Sequence, residues 1–214
     1  MKDLSFCDAI EELPLIAILR GVTPERVLDV ATVIKDAGFT IIEVPLNSPK
    51  PYESISLLNK YMGEEILIGA GTVLTYEEVD KVHLSGGKIV ISPNTNEQVI
   101  RYTKKLSLYS LPGFYTPTEA FKAIYAGADS LKMFPADILG PKAIKAVKAI
   151  LPPTMPIFPV GGVAPAQMGE FIAAGANGFG LGSGLFSPEM NLEQVKLNAS
   201  TYIAAYRDFV RNSL

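Results

Sequence analysis

The chain has 214 residues, 48% of them hydrophobic, enough to bury one sizeable core and at the short end for a closed α/β barrel. Its 19 Lys and Arg nearly balance 22 Asp and Glu, with no basic block of the kind that grips nucleic acid. A single histidine, His83, argues against metal sites and histidine-based catalysis, and a single cysteine, Cys7, excludes an intrachain disulfide, which fits a reducing cytoplasm.

The opening MKDLSFCDAIEEL is broken by Asp3, Asp8, Glu11 and Glu12, so it is expected not to be a signal segment but an extra helix over 1–13 capping the bottom of the fold. No later stretch is long and apolar enough to span a bilayer. Strands are predicted at 15–19, 40–44, 66–69, 88–91, 107–110, 129–133, 157–160 and 178–181, where short β-rich runs stand between longer amphipathic segments. PERVLDVATVIKDA is one such segment, with Val27, Val30, Val33 and Ile34 on a helical stripe. Thr23-Pro24, Ser48-Pro49 and Thr116-Pro117 each set a capping residue before a proline suited to the first helical position. Thr75…Glu78 and Thr116…Glu119 are spaced as capping boxes. Ala37-Gly38, Gly86-Gly87, Ala126-Gly127 and Ala174-Gly175 supply stops, since glycine takes the left-handed conformation that ends a helix. Eight strands alternating with helices predict one parallel α/β domain over 1–214, a (β/α)8 barrel with an extra N-terminal helix; an open doubly wound sheet is the alternative.

In such a barrel the chemistry gathers where the strands end. Unusual residues gather at one end of every predicted strand: Arg20, Glu43 near the end of the second, Gly71-Thr72, Ser92-Pro93-Asn94, Pro112-Gly113, Lys132 on the sixth with Phe134-Pro135, Gly161-Gly162 and Gly182-Ser183. Lys132, in DSLKMFP, stands inside an apolar strand, where a charge is costly unless it is paired or functional. Desolvation would lower its pKa and leave a neutral amine able to attack a ketone; a buried structural ion pair is the other account. Glu43, between Ile42 and Val44, could be the group that accepts and donates protons beside that amine, or could merely neutralise it. Arg20 could clamp a carboxylate or phosphate, or form a salt bridge at the rim. Thr72 could bond a carboxylate or be a turn residue. Gly161-Gly162 and Gly182-Ser183 offer backbone N–H groups for a phosphate, although glycine there could only permit tight turns. Phe134 is read as a pocket wall or a core residue, and His83 as helix surface or packing.

IAILRG (16–21), IIEVPLNSP (41–49), IGAGTV (68–73), ISPN (91–94), LKMFPA (131–136), PVGGV (159–163) and GLGSGLF (180–186) together resemble the 2-keto-3-deoxy-6-phosphogluconate and -galactonate aldolases, in order, from about residue 12 to residue 210. The resemblance implies a trimeric barrel without metal or cofactor, cleaving a phosphorylated 2-keto-3-deoxy sugar acid reversibly to pyruvate and glyceraldehyde 3-phosphate. Lys132 would be the Schiff-base lysine and Glu43 the general acid/base. Arg20, Thr72, Gly161, Gly162 and Ser183 would be the substrate contacts, and Pro93 and Phe134 would line the pyruvate pocket. The gluconate branch has arginine where this chain has Asn47, and threonine where it has Val160, so the resemblance favours the 6-phosphogalactonate epimer. The gluconate epimer, both epimers, or a non-catalytic binder of sugar-acid phosphates are the alternatives.

Overall fold

The computed structural model describes residues 4–211. Helix α1 (Phe6–Glu12) precedes strand β1 (Leu15–Ile18), and strands and helices then alternate: α2 (Pro24–Ala37), β2 (Ile41–Pro45), α3 (Pro51–Met62), β3 (Leu67–Gly71), α4 (Tyr76–Leu84), β4 (Ile89–Ile91), α5 (Glu97–Lys105), β5 (Tyr109–Leu111), β6 (Gly113–Phe114), α6 (Pro117–Ala126), β7 (Leu131–Met133), α7 (Ala136–Lys148), β8 (Ile157–Pro159), α8 (Met168–Ala173), β9 (Phe179–Leu181) and α9 (Leu192–Arg211). Every strand pairing is parallel, in one sheet ordered β5-β4-β3-β2-β1-β9 and another ordered β6-β7-β8. The fold is thus α/β, a curled parallel sheet with helices outside it.

The strand expected at 107–110 is β5, shifted to Tyr109–Leu111, and a further short strand, β6, follows Pro112, which has no N–H to give the ladder. Its carbonyl still accepts from Lys132 N–H at 2.9 Å. At the opposite edges Val160 and Gly180 form an isolated parallel bridge, and Asn177 N–H donates to the Ile157 carbonyl at 2.9 Å.

Burial on both faces of the strands gives two rows of side chains with period two. One row, including Leu15, Ala17, Ile42, Val44, Ile68, Ala70 and Val90, packs against the helices. The other, Ile16, Ile41, Leu67, Ile89, Ile91, Leu111 and Phe158, closes on itself and on Phe6 and Ala9 of α1. The Phe6 ring lies 5.5 Å from Tyr109 and 6.3 Å from Phe158, and Thr40 Oγ1 donates to the Ala9 carbonyl at 3.0 Å. These contacts pin α1 across the N-terminal ends of the strands; its expected residues 1–3 lie outside the described ones.

The capping boxes at Thr75–Glu78 and Thr116–Glu119 are present, and Gly38 and Gly127 end their helices in the left-handed conformation. One expected start is corrected. Ser48 does not cap α3, which begins at Pro51 after left-handed Lys50. The Ser48 hydroxyl is engaged instead by Gly21 N–H at 3.0 Å, and its own N–H donates to the Pro45 carbonyl at 2.9 Å, so it ties the ends of β1 and β2 together.

Replacing Phe6 with alanine should cost about 3–5 kcal/mol, the range for deleting a buried aromatic ring. Urea unfolding checks this, and a loss under ~1 kcal/mol would mean that α1 is not part of the core.

Candidate active site

The C-terminal strand ends surround a cavity of about 650 Å³. Nine of the ten residues expected there line it: Arg20 after β1, Thr72 after β3, Pro93 after β4, Lys132 and Phe134 from β7 and its end, Val160, Gly161 and Gly162 after β8, and Ser183 after β9. Glu43 is the exception. It lies one layer deeper, on a void of about 10 Å³ whose wall also includes Lys132, Ile18, Ile91, Leu111, Phe158 and Val160. Register explains the pairing. Glu43 continues the inner row of β2 beyond Ile41, opposite Ile18 and Gly69, and Lys132 is the central residue of β7, opposite Gly113 and Phe158.

Both charges are buried, Lys132 at 6% exposure and Glu43 at 1%. Among the described residues no hydrogen bond or ion pair joins them, and Glu43 Oε2 has no partner. Burial raises the Glu43 pKa from 4.5 to about 7, against the opposing pull of Lys132 and the smaller one of Arg20. Burial also depresses the Lys132 amine, Glu43 opposes this, and Arg20 adds to it. The Lys132 Nζ lies 5.0 Å from the Phe134 ring centroid. Glycine makes room for the acid: a Cβ on Gly71 would stand 1.9 Å from Glu43 Oε2.

Arg20 is exposed, and its guanidinium is held by Asn47 Oδ1 at 2.5 Å rather than by a carboxylate at the rim. Thr72 takes a left-handed φ of 58°, rare for a β-branched residue, as the chain turns off β3 into the cavity. Gly161 and Gly162 have φ of 103° and 71°. Among the described residues no acceptor pairs with the backbone N–H of Gly162, Val163, Ser183 or Gly184, so two turns present donors at one rim. The whole arrangement offers a desolvated amine, a carboxyl able to hold a proton near neutrality, and donors for an anion at the opposite wall.

The family model described as "Aldolase: KDPG and KHG aldolase" matches residues 7–199. The chain belongs to this family. It is 44% identical over 200 residues to the 2-dehydro-3-deoxy-6-phosphogalactonate aldolase of Escherichia coli K12, covering 94% of this chain and 98% of that protein. It is 45% identical to a probable 2-dehydro-3-deoxy-6-phosphogalactonate aldolase of Rhizobium meliloti, covering 91% of this chain and 92% of that one. A solved structure described as native KDPGal superimposes with a TM-score of 0.92 at 44% identity, covering 94% of this chain and 97% of the other.

Beyond the expected residues, this aldolase-family cavity is walled by Gly184, Phe186 and Pro188 from the turn after β9, and by Tyr202 from α9. The turn could have been read from GLGSGLF, whose glycines leave backbone exposed. Tyr202 carries no such signal, since it falls on an ordinary helical stripe. His83 is exposed on α4, away from the cavity, and among the described residues no cluster of His, Cys, Asp and Glu could hold a metal.

A carboxyl with a raised pKa is bound to its proton more tightly in the folded state, so its contribution is complete below pH 4.5 and lost as pH rises through about 7. The wild type should therefore lose ~3 kcal/mol relative to Glu43→Gln between pH 4.5 and 8. Paired urea titrations across that range check this; a pH-independent difference would mean that Glu43 ionises like an exposed carboxyl.

Proposed function

We propose that this chain is a class I aldolase that reversibly cleaves 2-dehydro-3-deoxy-6-phosphogalactonate to pyruvate and glyceraldehyde 3-phosphate. One observation carries the proposal: the Lys132 amine is buried at the cavity floor with its pKa depressed, above a void it shares with Glu43. The names of the two relatives at 44% and 45% identity support the substrate.

In this reading the neutral amine of Lys132 adds to the C2 ketone and Glu43 donates the proton with which the carbinolamine loses water. The resulting iminium draws the electrons of the C3–C4 bond as it breaks. The C4 hydroxyl proton passes to the Glu43 carboxylate, and glyceraldehyde 3-phosphate departs. Glu43 then returns a proton to C3 of the enamine, and water releases pyruvate from the lysine. The void between the two side chains is about the size of one water, which can carry these protons. The iminium is the electron sink, so the chemistry calls for no metal and no cofactor.

Pro93 and Phe134 would flank the pyruvate end, and Thr72 and Arg20 would hold the carboxylate. Gly161, Gly162 and Ser183 would cradle the phosphate with backbone donors. Val160 presents a methyl where a hydroxyl would discriminate the C4 configuration. We extend the proposal to a single domain over 1–214 closed as a (β/α)8 barrel, which the Pro112 continuity and the Val160–Gly180 bridge support. Family resemblance supports a homotrimer, and the single cysteine a cytoplasmic setting; the charge balance favours neither nucleic acid nor membrane partners. Among the described residues no helix is long and apolar enough to cross a membrane.

Pyruvate with borohydride should label the peptide containing Lys132, and Lys132→Ala should lose both label and turnover while remaining folded. Glu43→Gln should slow cleavage by roughly 10²–10⁴-fold, the usual contribution of a positioned acid/base group. A wild type that gives no adduct would be a binder, not an aldolase. The galactonate epimer should exceed the gluconate epimer in kcat/KM; equal values would remove Val160 as the discriminating contact.

A further inference from the structure

Helix α9 lies outside the sheet, packed against α2 and α8, yet one of its side chains reaches the cavity. Tyr202 is 5% exposed, and its hydroxyl donates to the Val163 carbonyl at 3.1 Å. The same hydroxyl crowds the second turn, since a Cβ on Gly184 would stand 2.2 Å from it. One turn earlier on that helical face, Asn198 Nδ2 donates to the Leu185 carbonyl at 3.3 Å. The Gly161–Val163 turn and the Ser183–Leu185 turn are thus both held by a helix that supplies no reacting group.

We propose that Tyr202, assisted by Asn198, is a positioning residue that sets the spacing of the two turns and so the affinity for the phosphate end of the substrate. The inference rests on the aldolase reading above. A cradle of backbone donors binds an anion only while its N–H groups converge, and backbone turns rich in glycine do not hold their own spacing. Tyr202 fastens one turn through its carbonyl, which leaves the amides of both free for the ligand. Its hydroxyl occupies the space that a side chain at position 184 would need, so it also accounts for the glycine there.

The test separates phosphate binding from the lysine chemistry. Tyr202→Phe should raise KM for the phosphorylated aldol about three- to tenfold, the scale of one neutral hydrogen bond. It should weaken competition by inorganic phosphate by the same factor. KM for the unphosphorylated 2-keto-3-deoxy sugar acid, and the rate of borohydride trapping with pyruvate alone, should not move. Asn198→Ala should show the same selective pattern more weakly, which keeps the test open if one variant folds poorly. Tyr206→Phe, on the same helix but off the cavity, is the control. Equal changes for phosphorylated and unphosphorylated substrates, or none for either, would overturn the role. Failure of the wild type to trap pyruvate would instead overturn the aldolase reading.

Discussion

The constraint on which the structure turns is the burial of two opposite charges in the inner row of a parallel sheet without a bond between them. Water solvates neither well, and each carries a penalty for ionising that the other only partly offsets. Burial thus favours the uncharged form of each group, the protonated carboxyl and the free amine. A stable buried salt bridge would instead favour the charged form of each, and an ammonium is inert toward a ketone. The gap between the side chains therefore matters as much as their closeness, because direct contact would restore the ion pair.

That gap is built by backbone, not by the charged residues. Gly71 leaves the space into which the Glu43 carboxylate folds, and any side chain there would displace the acid. The inner row on either side is apolar, with Ile18, Ile91, Leu111 and Phe158 around the void. These side chains keep the local dielectric low, which is the physical cause of both pKa displacements. Phe6 and Ala9 of α1 close the same row from below.

Much of this was legible from residue order. A lysine and a glutamate inside apolar β-runs are costly wherever they fall, so Lys132 and Glu43 stood out before any geometry, and the strand-end positions of Arg20, Thr72, Phe134 and the glycine pairs followed from the alternation of elements. The rest depends on partners distant along the chain. Ser48-Pro49 has the local chemistry of a helix start, but Gly21 takes the serine hydroxyl and the helix begins later. The strand expected to end at 110 is followed, past Pro112, by the short β6, which the residue pattern did not show. The depth of Glu43, one layer beneath the other site residues, is set by strand register, which residue order does not show. Tyr202 was invisible because its hydroxyl meets Val163 across 39 positions, and a tyrosine on a helical stripe reads as core.

Arg20 bears electrically on both buried groups. Its charge lowers the pKa of both Lys132 and Glu43, so it favours a neutral amine but an ionised acid. Asn47 holds the guanidinium with a neutral carbonyl oxygen, which fixes its direction and leaves its charge uncompensated. An anionic group beside Arg20 would screen that charge, and the acid would then keep its proton more readily. A carboxylate at position 47 would instead compensate that charge permanently. The uncharged partner thus orients Arg20 without cancelling the charge that Lys132 and Glu43 both feel.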